Sequence, residues 1–242
     1  NPISVGPEFP FQDAIGIMED KGIGNLVVIE DHAVKGLFTE REILQYITSY
    51  GEIPEIPMKE VLLQAFTGIS LNATLVSAAK IMILEKARLL VFVNKKLVGI
   101  ITASDMLRGF RKTGINPSLD KVISTKIYQC KYDDSIIDAT KIMDEKRIGS
   151  VIVTKNGAHY GIFTERDLLV NVLANEVDLK SKVGGYCSSP LITTKTGIGG
   201  NDAANLMAEK KIKRLVLTDK NKIVGIVTAR DVVDAFQMAE NL

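Results

Sequence analysis

Along this chain the apolar positions switch between a helical and a strand period, and the switch recurs four times. Ile136, Ala139, Ile142 and Met143 fall at helical spacing, and that segment ends at the basic pair Lys146 and Arg147, which suits a helix C-terminus. Residues 150–154 and 160–163 are short β-rich runs around Asn156 and Gly157, a pair that favours a tight hairpin. Leu168, Leu169, Val172 and Leu173 return to the helical period, and an apolar strand is expected ahead of the unit, around residues 125–128. The unit therefore reads β-α-β-β-α.

Its second strand runs into G-I-F-T-E-R-D, from Gly161 to Asp167. The same junction appears as G-L-F-T-E-R-E from Gly36, G-I-I-T-A-S-D from Gly99 and G-I-V-T-A-R-D from Gly225. The four threonines, Thr39, Thr102, Thr164 and Thr228, stand 63, 62 and 64 residues apart, and copies one and three align without a gap at an offset of 125. That regularity marks internal duplication with a period longer than that of common solenoids. The chain divides into repeats at 1–50, 51–115, 116–177 and 178–242, with the main boundary expected in K-T-G-I-N-P-S near residue 115. Hairpin tips at Asp31 and His32, Asn94 and Lys95, and Asp219, Lys220 and Asn221 place both histidines, His32 and His159, at or beside solvent-exposed turns. Met18, Met82, Met143 and Met207 read as core filler.

Composition narrows the chemistry. The 242 residues include 46% hydrophobic and 24% charged side chains, ordinary for a globular chain. Thirty Lys plus Arg against 29 Asp plus Glu leave no global pull toward polyanions, so any anion site must be local, and nucleic acid is not an expected partner. No apolar run reaches the roughly 20 residues of a membrane span. Two cysteines without a Cys-x-x-Cys pattern suggest reduced structural roles, no metal and a cytoplasmic setting. No nucleophile, acid-base pair or metal cluster points to catalysis. T-G-I-G-G-N from Thr196 lacks the spacing of a phosphate loop and reads as a plain connection.

A Thr followed three residues later by an acid is a helix capping box, and can also be a grip on a ligand. The four-fold pattern of β-α-β-β-α units, each ending in Gly-apolar-apolar-Thr-x-x-acid, resembles the cystathionine-β-synthase domain, or CBS domain, over essentially the whole chain. The resemblance implies an α/β (α+β) fold in which consecutive units form two pseudo-twofold Bateman modules, 1–115 and 116–242, as in the gamma subunit of the AMP-activated protein kinase. It also implies a regulatory, non-enzymatic protein that binds AMP, ADP or ATP in clefts between units and acts on a protein partner or as a homodimer. The aspartates would accept ribose hydroxyls beside the anion-friendly N-terminus of a helix.

On that basis the ribose-binding candidates are Thr164 with Asp167, Thr228 with Asp231, and Thr102 with Asp105; Thr39 with Glu42 is a weaker one, because Glu is one methylene longer. Lys213 and Arg214 are expected to face Asp167 and hold phosphate. Arg88 occupies the matching position for Glu42, where Leu89 breaks the pattern. Arg166 and Arg230 are further phosphate candidates, as is Arg41, and Ile162, Ile226 and Ile127 are candidates for packing the base. The alternatives are a structural or dimerisation module whose junctions only cap helices, and the regulatory part of a larger enzyme or transporter. S-adenosyl ligands share the ribose grip.

Overall fold

The computed structural model describes residues 2–61 and 63–239. Repeat one runs β1 (Ser4–Val5), α1 (Phe11–Asp20), β2 (Asn25–Glu30), β3 (Ala33–Thr39) and α2 (Glu40–Tyr50). Repeat two has β4 (Thr67–Ser70), α3 (Leu75–Leu84), β5 (Leu89–Val93), β6 (Lys96–Ile101) and α4 (Ala103–Phe110). Repeat three has β7 (Gln129–Lys131), α5 (Ile136–Glu145), β8 (Ser150–Lys155), β9 (Ala158–Thr164) and a single turn α6 (Glu165–Asp167). Repeat four has β10 (Thr193–Lys195), α7 (Gly200–Lys210), β11 (Arg214–Asp219), β12 (Lys222–Thr228) and α8 (Ala229–Ala239).

Each repeat builds one three-stranded sheet, its first two strands parallel across the helix and its last two an antiparallel hairpin. The hairpin tips adopt the left-handed backbone that their residues suggest: Asp31 and His32, Asn94 and Lys95, Asn156 and Gly157, and Lys220 and Asn221 all have positive φ. All four hairpins slip register at the same place, just beyond the residue that faces Gly36, Gly99, Gly161 or Gly225. Two elements depart from the sequence pattern. The strand expected at residues 125–128 starts instead at Gln129, because Ser124 already exchanges both backbone hydrogen bonds with Ile226. The helix after Asp167 widens into a π-turn over Leu168–Val172 and ends in a 3-10 turn over Leu173–Asn175.

The chain forms two compact bodies. Residues 3–65 and 128–191, repeats one and three, make the first; residues 66–127 and 192–242, repeats two and four, make the second together with the N-terminal two residues. The expected consecutive pairs therefore each draw one repeat from either body. In the first body α2 packs on α5, and a core including Phe11, Phe38, Ile43, Met143 and Phe163 is fully buried. In the second, α8 packs on α3 and α4, and Phe110 stacks on Phe236 at 4.7 Å. The four helix methionines are all buried, at 0–3% exposure. Cys130 and Cys187 are free thiols, and burial pushes them up to about 12 and about 11, where neither is a ready nucleophile.

The connections between repeats act as straps. Residues 56–61 with Leu63 and Gln64 lie over repeat one, Ser181 to Ser188 over repeat three, and Pro117 to Ser124 over repeat four. At one end each strap accepts the first amide of a helix: Phe11 donates to Ile56, Ile136 to Ser181 and Gly200 to Pro117, at 2.8–3.0 Å. At the other end Gln64, Ser188 and Ser124 exchange hydrogen bonds with Leu37, Ile162 and Ile226, closing the hairpin edge. A glycine beneath lets the strap approach: a Cβ at Gly161 would stand 2.5 Å from the Ser188 carbonyl oxygen, whereas one at Gly99 would meet only Val91 at 3.5 Å. Gly161→Ala should therefore destabilise by about 1–3 kcal/mol, as overpacking does, and Gly99→Ala by under about 1 kcal/mol. Urea unfolding of the two variants checks the difference.

Candidate ligand site at the strand-to-helix junctions

All four junctions are capping boxes. In repeat three the Thr164 amide and hydroxyl both donate to Asp167 Oδ2, at 2.8 and 2.6 Å, and the Asp167 amide returns a bond to the Thr164 hydroxyl at 3.1 Å. Thr228 and Asp231 repeat this arrangement, with bonds of 2.7, 2.8 and 3.3 Å. Thr102 donates its amide and hydroxyl to Asp105 Oδ2 at 2.9 and 2.7 Å. At Thr39 the amide donates to Glu42 Oε2 at 2.9 Å, while the hydroxyl accepts from the Arg41 amide. Each aspartate thus caps with one oxygen, and the other decides whether a ligand can be held.

That second oxygen differs between copies. Asp167 is buried, and its Oδ1 accepts from the Ser188 hydroxyl at 2.7 Å and the Asn171 amide at 3.2 Å. The π-turn and the strap supply both donors. Asp105 Oδ1 holds Arg108 at 3.1 Å, a solvated pair worth less than about 1 kcal/mol. Asp231 Oδ1 has no hydrogen bond among the described residues. Glu42 is only 2% exposed, and burial, the largest effect, raises its carboxyl above the ordinary range against the hydrogen bonds from Thr39 and Gln64.

Around the caps the two bodies carry opposite chemistry. In the first, Arg41 reaches across to the end of α5, donating to the Ile148 carbonyl at 3.2 Å and the Asp144 carboxylate at 3.1 Å, with Glu165 at 3.7 Å. Arg166 answers from repeat three, donating to the Ile23 carbonyl at 2.8 Å and to Glu40 at 3.4 Å. Gly24 is small because the Glu40 carboxylate lies 3.1 Å from where its Cβ would be. This reciprocal clasp commits both arginines to protein groups. An opening of about 650 Å³ beside it has mixed charge, with Glu42, Asp144 and Glu145 against Arg41 and Arg147.

In the second body the equivalent positions read Ser104 for Arg41, Ala103 for Glu40, Ala229 for Glu165 and Ala208 for Asp144; only Arg230, matching Arg166, is retained. A cavity of about 250 Å³ remains, walled by Ser104, Leu107, Met207, Ala208 and Ala229 and ringed by Arg108, Arg111, Lys211 and Lys213, with no acid in its lining. Lys213 lies next to the α8 cap, since its carbonyl accepts from the Ala229 amide at 2.9 Å, and Arg214 pairs with Thr228 across the hairpin. Lys213 was singled out in the sequence, though for the Asp167 junction rather than for this cavity. Arg108, Arg111 and Lys211 were not, because only the packing of α4 on α7 gathers them.

Of the remaining candidates, Ile162 and Ile226 face the straps of their own bodies, and Ile127 precedes β7. Arg88 accepts at its carbonyl from the Thr67 amide. Lys213, Arg214 and Arg88 lie in the second body, Asp167 and Glu42 in the first.

Two outcomes follow from this geometry. Glu42 binds its proton more tightly folded than unfolded, so its contribution to stability is greatest at low pH and is lost as pH rises through the raised value. Glu42→Gln keeps a capping side chain and should remove that decline, which denaturant titrations from pH 4 to 8, on the order of the span such a group covers, would read. Arg41→Ala should cost about 1–3 kcal/mol, and Glu165→Ala should cost less in that background than alone, the sign of a coupled pair. A double-mutant cycle in urea measures both.

Comparison with known proteins gives these junctions a family. The CBS-domain profile matches residues 1–49, 55–112, 119–174 and 183–237. An uncharacterized protein of Methanocaldococcus jannaschii, MJ1404, is 26% identical over 96% of this chain and 58% of its own length. Inosine-5'-monophosphate dehydrogenase of Helicobacter pylori is 27% identical over 82% of this chain, which spans only 43% of that enzyme. Protein MJ1225 of M. jannaschii, described as a proposed archaeal homolog of g-AMPK, superposes with a TM-score of 0.81 at 18% identity, over 98% of this chain and 96% of that one. An uncharacterized Pyrococcus horikoshii protein superposes with a TM-score of 0.65 over 97% and 95% of the two chains. With four profile matches covering nearly all of its length, and a sheet and a cap in each, the chain belongs to the CBS-domain family and carries four CBS domains in series.

Proposed function

We propose that this chain is a non-catalytic regulatory protein that binds an adenine nucleotide, AMP, ADP or ATP, at its Thr-x-x-Asp junctions, with Thr228 and Asp231 first and Thr102 and Asp105 second. The observation that carries the reading is the divided use of Asp231: Oδ2 caps α8 while Oδ1 has no bond among the described residues. A pair of ribose hydroxyls is a fitting donor set for such an oxygen. Lys213, Arg214 and Arg230 lie in the same body and supply positive charge for phosphate. At Asp167 a ribose would first have to displace Ser188 and Asn171, and Arg166 is occupied by the clasp, so that copy ranks behind the other two. The gamma-AMPK-like neighbour and the dehydrogenase relative favour a nucleotide signal over a purely structural role. The ligand would act by population shift on a protein partner or a second copy, through its difference in affinity for two arrangements.

The test is calorimetry on ligand-stripped protein with AMP, ADP, ATP and S-adenosylmethionine. Asp231→Glu, which can keep the cap as Glu42 does, should weaken nucleotide binding at least tenfold, about the loss of a hydrogen bond to a charged group, while circular dichroism stays unchanged. Lys213→Ala with Arg214→Ala should weaken ATP more than AMP and reduce the salt dependence. An absence of heat with every nucleotide, from correctly folded protein, would leave the junctions as caps and the chain as an assembly module.

A further inference from the structure

We propose that repeat two carries an open groove for an extended polypeptide strap, of the kind that repeats one, three and four already hold. The three occupied grooves share one set of contacts. An apolar anchor, Met58, Val183 or Leu119, is buried to 0–2% exposure beneath each strap. A second apolar residue, Leu63, Cys187 or Ile123, presses on Gly36, Gly161 or Gly225. The next residue then exchanges two backbone hydrogen bonds with the hairpin edge. Repeat two has the receiving half of this arrangement. Leu75 matches Phe11, Ile136 and Gly200, the helix residues whose amides bond to a strap, and Ile100 matches the bridged Leu37, Ile162 and Ile226. Neither the Leu75 amide nor the outward amide and carbonyl of Ile100 has a partner among the described residues.

Two further observations place the opening on the same face. Gly99 is half-exposed where Gly36, Gly161 and Gly225 are buried, and β6 is the one of the four last strands without a buried residue. Leu71 is 65% exposed and, at the offset of 64 that matches Leu75 with Phe11, is the equivalent of Pro7, whose carbonyl accepts from the Lys59 amide in the strap of repeat one. An unpaired edge beside uncovered apolar surface is the surface that strand addition uses.

The occupant is a strap of the same pattern: an apolar anchor, three or four residues, an apolar residue for Gly99, and a residue that pairs with Ile100. It is delivered in cis at Pro2. The strap of repeat four runs through Ile127 within the second body before the chain enters repeat three, and Pro2, at the offset of 125 from Ile127, also belongs to the second body. A linked segment competes at high effective concentration, which a free peptide lacks.

The experiment fuses a copy of the chain's own strap, N-P-S-L-D-K-V-I-S-T-K-I, ahead of Ile3 in the full chain in place of Asn1 and Pro2, and follows amide hydrogen exchange by NMR. In the unfused chain Leu75 and Ile100 should exchange at least about a hundredfold faster than Gly200 and Ile226; the fusion should slow both at least about tenfold, with unchanged sedimentation. A control fusion with Asp at its two apolar positions should leave both fast. Slow exchange at Leu75 and Ile100 without the fusion, no slowing with it, or equal slowing by the control would overturn the proposal. Slowing that appears only together with dimerisation would assign the groove to a second copy and overturn it as well.

Discussion

Every second helix in this chain starts because one carboxylate oxygen satisfies the amide of a threonine three residues earlier. The hairpin arrives with extended backbone, Thr164 at φ −124° and ψ 165°, and the helix leaves at once, so the turn exposes amides that an acid three residues on can reach. In three of the four copies the threonine hydroxyl also donates to that oxygen, which fixes the carboxylate's orientation. The cap and the remaining hydrogen-bonding capacity then belong to different atoms of one side chain. The cap is common to all copies. The second oxygen has been free to diverge, and it has: closed by the strap and the π-turn in repeat three, lightly held in repeat two, open in repeat four.

The same divergence separates the two bodies. Both pack alternate repeats through helices, and in both the residue two after the threonine faces the neighbouring repeat's first helix. Where that residue is Arg41 it finds carbonyls and acids at the end of α5, and the interface closes with its charges matched. Where it is Ser104 the acids have become Ala103, Ala208 and Ala229, and the space is lined by cations without an acid in its walls, Arg108 being paired with Asp105 beside it. Charges held at low exposure cost desolvation unless they are matched, so the first arrangement resists change.

Much of this frame is legible in the sequence. The spacing of four threonines gives the repeats, the turn residues give the hairpins, and the buried methionines follow from helical periodicity. The strand near residue 127 was displaced because a strap competes for the same backbone, a contact between Ser124 and Ile226 about a hundred residues apart that no local pattern reports. The clasp was missed for a similar reason. Arg41 and Arg166 read as phosphate candidates or solvated first-turn residues until α5 and the turn after α1 are placed opposite them. Lys213 could be picked out by its position before a strand, but Arg108 and Arg111 sit on α4 at spacing that reads as an ordinary polar face.

The straps tie the caps to the connections between repeats. Ser188 donates its hydroxyl to Asp167 while its backbone bridges Ile162, so a group that takes Asp167 Oδ1 has to take it from a residue also holding the hairpin edge. Gln64 stands in the same place beside Glu42, where burial raises the acid. Both acids of the first body are therefore read by the chain segment that leaves their repeat, and a change in either acid's bonding is felt first in that segment. In the second body Ser124 bridges Ile226, three residues before Ala229 opens α8, yet Asp231 keeps an oxygen without a hydrogen bond among the described residues. The two junctions therefore differ in the bonds from Ser188 and Asn171 to the second oxygen, which tie Asp167 to its own strap and helix and have no counterpart at Asp231 among the described residues.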